Sequence, residues 1–328
     1  MSTSCNSVLV VAETADGRAG DLSFELLGIA RQLVQGSDGI VSAAVLERPD
    51  AACIRDLGAR GADRVFSITD DRSSAYGAER WLATLPSLLA EHGPSHILLG
   101  HTALGAELGP RLAFRLGTTV ATGCERLELK QGKLSVLRPC FGNKARETLR
   151  LEKCPAVATV RARMSDPLPP TARDTKVIAV APPTGSAIAT TVIRRDLEAE
   201  TQGARLETAK IVIAGGRGLG SAEGFQVLEK LAAAVGGAVG ASRVACDLGW
   251  VPHSRQIGLS GKTVSPDLYV AVGISGASQH MAGCGKARAI LAINSDPEAA
   301  IFKDATFGVV GDYREIVPAL IEAIGALP

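Results

Sequence analysis

The chain lacks an apolar run of the roughly 18 residues that a membrane span requires. It lacks an excess of either charge as well: 35 Lys and Arg stand against 34 Asp and Glu, a formal net charge of +1. That balance gives no electrostatic basis for binding nucleic acid or an anionic membrane surface. The opening MSTSCNSVLVVAE has neither the basic region nor the long apolar stretch of a secretory signal. Cysteine is present but unpaired in pattern: Cys5, Cys53, Cys124, Cys140, Cys154, Cys246 and Cys284 are odd in number, scattered, and never spaced CxxC. A disulfide framework is therefore not expected, and a reduced compartment is: the cytoplasm of a bacterium, or a mitochondrial matrix in a eukaryote. The five His form no HxH or HExxH spacing, so no metal site is expected. Aromatic residues make up only 4% of the chain.

Glycine, at 36 residues, is plentiful. Small residues allow close packing of helix on sheet and leave room for a nucleotide, a bias towards α/β folds. The order of patterns agrees. SVLVVAE (7–13), GIVSAAVLE (39–47), RVFSI (64–68) and HILLG (96–100) read as buried strands. Between and after them, 22–35, 51–61, 78–92 and 105–117 carry apolar residues at helical spacing. Such alternation predicts a mainly parallel sheet with flanking helices. From Thr119 short alternating runs separated by Gly and Lys turns predict antiparallel strands appended to that sheet. Proline-rich 163–175, then 181–187 and charged 194–207, read as a connector. A second α/β unit follows, with strands in 209–216, 238–243, DLYVAVG, AILAIN and TFGVVG, and helices over 221–236 and 312–327. The expected organisation is two α/β domains, 1–190 and 208–328, joined by a linker at 191–207.

The second unit carries the candidate chemistry. GGRGLGS (215–221) follows a strand and opens a helix, a setting in which backbone N–H groups and Arg217 suit an anion. The match to a dinucleotide fingerprint is loose. At the end of the next strand, where an acidic residue would hold a ribose, stand Ser242 and Arg243, which disfavours an NAD site. A tight strand-to-helix turn explains the glycines equally well. The long segment 239–267 shows little periodicity, and loops of that length are commonly functional. Ser275, Asn294 and Asp312 each follow a strand, where a parallel sheet borders its ligand crevice. Ser275 to Ala277 are expected to begin a helix with free N–H groups, and His280 to face the crevice from its first turns. Asp312 is equally a natural N-cap, and His280 equally a structural histidine. Together these features favour a nucleotide cofactor; a serine hydrolase is disfavoured because no GxSxG elbow is present.

The segments GGRGLGS, VGASRVACDLGWVP, RQIGLSGKTVSPDLYVAVGISGASQHMAG and AINSDPEAAIFKDATFGVVGD resemble the signature regions of the electron-transfer flavoprotein alpha subunit. The resemblance is nearly continuous from about 207 to 328 and looser before it, where HILLGHTALGAELGPRLAFRLG (96–117) matches best. It implies a Rossmann-like FAD-binding C-terminal domain and an N-terminal platform for a beta subunit. That partner would hold AMP, or a second FAD in an electron-bifurcating complex. Electrons would pass from flavoprotein dehydrogenases, as in fatty acid β-oxidation, to a membrane quinone reductase or another acceptor. The chain itself would be a carrier subunit rather than a substrate-transforming enzyme. The resemblance places Arg217, Ser242, Arg243, Gln256, Ile257, Gly258, Leu259, Ser260, Ser275, Gly276, Ala277, Ser278, Gln279, His280, Asn294 and Asp312 around FAD. Within that set it puts Arg243 beside the isoalloxazine ring, the Ser260 hydroxyl near N5 and His280 at the C2 carbonyl, with Asn294 and Asp312 on the adenosine side. GLSG (258–261) departs from the family's GQTG: Leu259 replaces an amide, and Ser260 keeps a hydroxyl in place of Thr. Two further readings stay open: a subunit of a bifurcating enzyme, and a non-redox nucleotide-binding module on the same fold.

Overall fold

The computed structural model describes residues 7–15, 17–45, 49–68, 77–141, 143, 145–181, 190, 193, 206 and 209–326. The chain divides into two compact units, Met1–Arg195 and Asp196–Pro328. Most of the expected linker, 191–207, lies outside the described residues.

The first unit runs β1 (Val8–Val11), β2 (Thr14–Ala15), β3 (Arg18–Ala19), α1 (Asp21–Leu33), β4 (Val41–Val45), α2 (Ala51–Ala59), β5 (Arg64–Ile68), α3 (Ala78–His92), β6 (His96–Gly100) and α4 (Ala103–Arg115). It continues through β7 (Val120–Cys124), β8 (Arg126–Lys130), β9 (Lys133–Cys140), β10 (Ala145–Leu151), β11 (Ala156–Val160) and β12 (Lys176–Val180). Seven strands form one parallel sheet in the order β12-β5-β4-β1-β6-β11-β7. The central strands read as unbroken apolar runs because helices cover both faces. In β1, Val8 and Val10 join Leu26, Leu27 and Leu57 in one core, while Leu9 and Val11 join Trp81, Leu85 and Leu112 in the other. Each such fully buried side chain contributes about 1.5–3 kcal/mol.

Two expectations for this unit are corrected. The segment after Thr119 is not simply antiparallel: β7 and β11 pair in parallel within the main sheet, and only β8, β9 and β10 form an antiparallel sheet of their own. The stretch after Arg163 is not all connector either, because Lys176–Val180 pairs with β5 as the edge strand β12. The crevice position of this sheet, between β1 and β6, is bridged by its own side chains. Thr102 Oγ1 donates to Glu13 Oε1 at 2.6 Å, just past the ends of those two strands.

The second unit runs β13 (Ile211–Gly215), α5 (Glu223–Val235), β14 (Ala238–Ala241), α6 (Arg243–Asp247), β15 (Leu268–Val272), α7 (Ser278–Cys284), β16 (Ala289–Asn294), β17 (Phe307–Val310) and α8 (Tyr313–Gly325). All five strands are parallel, in the order β14-β13-β15-β16-β17. This is a doubly wound sheet whose strand order reverses between β13 and β15, where ligands characteristically bind. Alternation again splits two cores. Ile213, Val270 and Val272 pack with Phe225, Leu228 and Val317, and Val212, Tyr269 and Ala271 pack with Ile257, Cys284 and Ile301. The segment 239–267, expected to be irregular, holds α6 and a 3-10 turn at His253–Arg255. The helix expected from Ser275 begins three residues later, at Ser278.

Candidate functional site

A parallel sheet brings all its C-terminal strand ends to one edge. Here that edge carries Ser242 and Arg243 after β14, Gly216 and Arg217 after β13, Gly273 to Ser275 after β15, Asn294 ending β16, and Asp312 beyond β17. Four inter-strand spacings separate β14 from β17, about 19 Å in all. That edge is long enough for an extended dinucleotide.

The two glycine-rich turns cross at the middle of the edge. Gly218 N donates to Gly273 O at 3.0 Å, and Gly216 N to Val272 O at 2.9 Å. A Cβ on Gly216 would overlap the Gly273 carbonyl, and one on Gly218 would lie 2.8 Å from Gly273 Cα. Gly216 and Gly218 are therefore glycine because the two turns pack backbone to backbone, rather than only to admit a ligand. Gly273 has a φ of +62°, a left-handed conformation open to glycine at little strain.

On the β14 side, the 256–264 loop is laid against α7. Ile257 N donates to Ala241 O at 2.9 Å, and Leu259 N to Gln279 O at 2.7 Å. A Cβ on Gly283 would strike the Gly258 backbone, so that contact requires glycine. These bonds set the 256–260 loop between the end of β14 and the start of α7, with Ser242 and Arg243 next along the chain from Ala241. Gln256 is buried, and its Nε2 donates to Ser260 Oγ at 3.0 Å. Ser260 Oγ is thus an acceptor inside the protein, which leaves its hydrogen to point outward. Arg243 is 69% exposed, with Nε 3.4 Å from Asp247 Oδ2 one turn along α6. Leu259 is exposed, and only its backbone is held by the fold.

His280 does not open onto the edge as expected. It is buried, and its Nε2 lies 2.8 Å from the hydroxyl of Tyr269. Burial pushes its pKa down to about 4, with the Ile257 backbone exerting a smaller opposite pull. Nδ1 is buried and makes no hydrogen bond of good geometry among the described residues. A buried polar atom left in that state is costly unless something else completes it.

On the β17 side, Asn294 Nδ2 donates to Ile274 O at 2.9 Å, and its Oδ1 accepts from Asp296 N. Asp312 is the N-cap of α8 and accepts from Arg314 N at 2.9 Å. Both capping and turn roles are thus in use, and the second Asp312 oxygen has only a 3.5 Å contact with Arg314. Ser275 O accepts from Ile301 N, and a Cβ on Gly276 would overlap that same backbone. Ser275, Ala277, Ser278 and Gln279 remain exposed beside these contacts. Tyr269 was not singled out from the sequence. Its signal was present in LYVAV: a Tyr in a fully buried strand needs a partner for its hydroxyl. Among the described residues, no group of three or more His, Cys, Asp or Glu is placed to hold a metal ion.

The fold and site together define a doubly wound nucleotide-binding unit, with an anion-tolerant polar edge and a second α/β unit beside it in the sequence. The comparisons narrow this class. Residues 205–285 match the electron transfer flavoprotein FAD-binding domain, and residues 8–185 match the electron transfer flavoprotein domain. The electron transfer flavoprotein subunit alpha of Thermoanaerobacterium thermosaccharolyticum is 38% identical over 324 residues, covering 98% of each chain. That of Bacillus subtilis is 36% identical over 316 residues, 96% of each chain. Protein FixB of Azotobacter vinelandii is 37% identical over 331 residues, 97% of this chain and 91% of that one. The chain belongs to the electron transfer flavoprotein alpha-subunit family, and FAD is its cofactor.

The residues present fit FAD. The edge has the span for a dinucleotide, Arg217 and Arg243 are exposed cations along it, and Ser260, Ser275 and Ser278 expose hydroxyl side chains beside them. Asn294 and Asp312 lie beyond the matched FAD-binding segment. Among the described residues no helix is long and apolar enough to cross a membrane.

Proposed function

We propose that the chain holds FAD along the C-terminal edge of the second sheet and serves as the flavin subunit of a two-subunit electron carrier. The observation that carries this reading is the C-terminal edge of the second sheet, where Arg217 and Arg243 stand as exposed cations and Gln256 holds the exposed Ser260 hydroxyl. Bound FAD supplies the redox chemistry; the protein supplies position and electrostatics. Arg243 places a cation at the ring and favours negative charge there. Ser260, fixed by Gln256, aims its hydroxyl outward. In this reading His280 offers Nδ1 to the flavin, and the cofactor displaces the Ile257 backbone carbonyl that lies beside the ring. Arg217, Ser275 and Ser278 serve the phosphates, with Asn294 and Asp312 on the adenosine side.

In this reading residues 1–190 are the platform for a beta subunit carrying AMP or a second FAD. Flavoprotein dehydrogenases, including those of fatty acid β-oxidation, donate the electrons, and a quinone reductase or other acceptor takes them up in a cytoplasmic setting. A hydrogen bond from Thr102 to Glu13 spans the first sheet's own crevice position, which agrees with a platform role. Purification of the native protein with light scattering, and a count of flavin and AMP per particle, tests this. A heterodimer with one FAD assigned to this chain is expected. A stable flavin-loaded monomer or homodimer would contradict it.

A further inference from the structure

Tyr269 is fully buried in β15, and its hydroxyl lies 2.8 Å from His280 Nε2. One of the two groups donates. If Nε2 carried the proton, the Tyr269 oxygen would accept. Its own hydrogen would then face only the nearby Cys284 sulfur, a weak acceptor. His280 Nδ1 would be left as a buried lone pair beside the Ile257 backbone carbonyl, which cannot donate to it. Two polar groups would go unsatisfied. If Tyr269 donates, its hydrogen is used, Nε2 is satisfied, and the imidazole proton must sit on Nδ1. The Nδ1–H then has the Ile257 backbone carbonyl beside it, though not in good hydrogen-bond geometry. Cys284 does not compete for Nε2, because its Sγ donates to the His280 carbonyl at 3.6 Å. Leaving a buried group unpaired costs about 1–3 kcal/mol, so the arrangement in which Nδ1 is the donor outweighs the one with two orphans.

We infer that Tyr269 is a positioning residue: its phenol donates to His280 Nε2 and so fixes the neutral imidazole as an Nδ1–H donor. This rests on the reading above in one respect only, that the Nδ1–H is directed at the cofactor. The burial of both groups is consistent with it. The imidazole is held neutral, with a pKa near 4, and the phenol is held protonated, well above its usual range. A neutral donor thus faces the ring over the whole physiological range, while Arg243 supplies the fixed charge.

The test uses the full chain with its partner subunit, labelled with nitrogen-15 in histidine, both FAD-loaded and stripped of FAD. Long-range proton–nitrogen correlation spectra report which ring nitrogen carries the proton, and His280→Gln identifies the signals. The wild type is expected to show the Nδ1–H form in both states. Tyr269→Phe, which removes only the hydroxyl, is expected to move the tautomer ratio towards Nε2–H by about fivefold, the effect of one lost hydrogen bond. An Nε2–H wild type would overturn the inference, and this arm needs no variant to fold. So would a Tyr269→Phe protein with an unchanged tautomer. The midpoint potential of bound FAD separates the two claims. If the tautomer responds as stated but the potential is the same in wild type, Tyr269→Phe and His280→Ala, the Tyr269–His280 assignment stands and the placement of His280 at the flavin falls.

Discussion

Arg243→Ala should lower the midpoint potential of the bound flavin, and Asp247→Asn should raise it. A unit charge about 5 Å from the ring, at an effective dielectric near 20, interacts by about 3 kcal/mol. That figure is too large here. The Arg243 side chain is 69% exposed, and Asp247 sits 3.4 Å from its Nε. Exposed ion pairs are worth only about 0.2–1 kcal/mol after screening, and the neighbouring carboxylate offsets part of the cation's field. A net effect of about 0.5–1.5 kcal/mol remains. For a one-electron step this is about 20–65 mV, taking 59 mV per tenfold change. Removing the Asp247 charge leaves Arg243 unopposed, so the shift changes sign and is smaller. Arg243→Lys should retain part of the effect, since the charge stays while the planar fork is lost. Potentiometric titration followed by absorbance, on proteins checked for full FAD content, gives all four values. An unchanged potential in Arg243→Ala, or a lowered one in Asp247→Asn, would show that this pair is not beside the ring.

Gly216→Ala should force apart the crossing of the two glycine turns, because its Cβ would overlap the Gly273 carbonyl. A loss of about 1–3 kcal/mol in thermal or denaturant unfolding and a fall in retained FAD are expected; Gly325→Ala, in open space at the end of α8, is the neutral control. His96 is buried with both ring nitrogens unpartnered among the described residues, and burial lowers its pKa from 6.5 to about 4. The unfolded chain takes up this proton first, so stability is full above about pH 6.5 and declines towards pH 4, by up to about 3 kcal/mol. His96→Gln should flatten part of that slope in unfolding curves measured across the interval, and an identical slope would remove His96 from the explanation. Leu259→Gln restores the amide of the family's loop at an exposed position. It should leave stability within about 0.5 kcal/mol while shifting the flavin potential, and a titration that superimposes on wild type would mean that this side chain does not reach the ring.

What was legible in the sequence follows from which interactions are local. RVFSI, 78–92 and HILLG fall on β5, α3 and β6 without a shift of a residue, because long apolar periodicity is read directly from the chain. The strand β12 was not legible. KVIAV is exposed along most of its length and flanked by proline-rich and charged segments, and only its pairing with β5 makes it a strand. Parallel pairing of β7 with β11 was hidden for the same reason: alternation reports burial, not the direction of a neighbour 36 residues away. Of the site, the strand-end positions Ser242, Ser275, Asn294 and Asp312 were legible from strand–helix alternation alone. The Gln256–Ser260 bond, the Arg243–Asp247 pair and the turn crossing at Gly218 and Gly273 were not, since each depends on how loops meet in space. His280 shows the limit most clearly. Its place in the sequence pointed to a crevice, but the start of α7 at Ser278 turns its ring inward onto Tyr269.

The central claim is the placement of FAD across five strand ends, with the ring at the β14 side and the adenosine at the β17 side. A crystal structure of the FAD-loaded complex tests it directly. The account predicts the isoalloxazine ring within contact of Arg243, Ser260 and His280 Nδ1, and the adenosine beside Asn294 and Asp312. A flavin lying in the opposite direction, or one held away from the C-terminal edge of the second sheet, would contradict it.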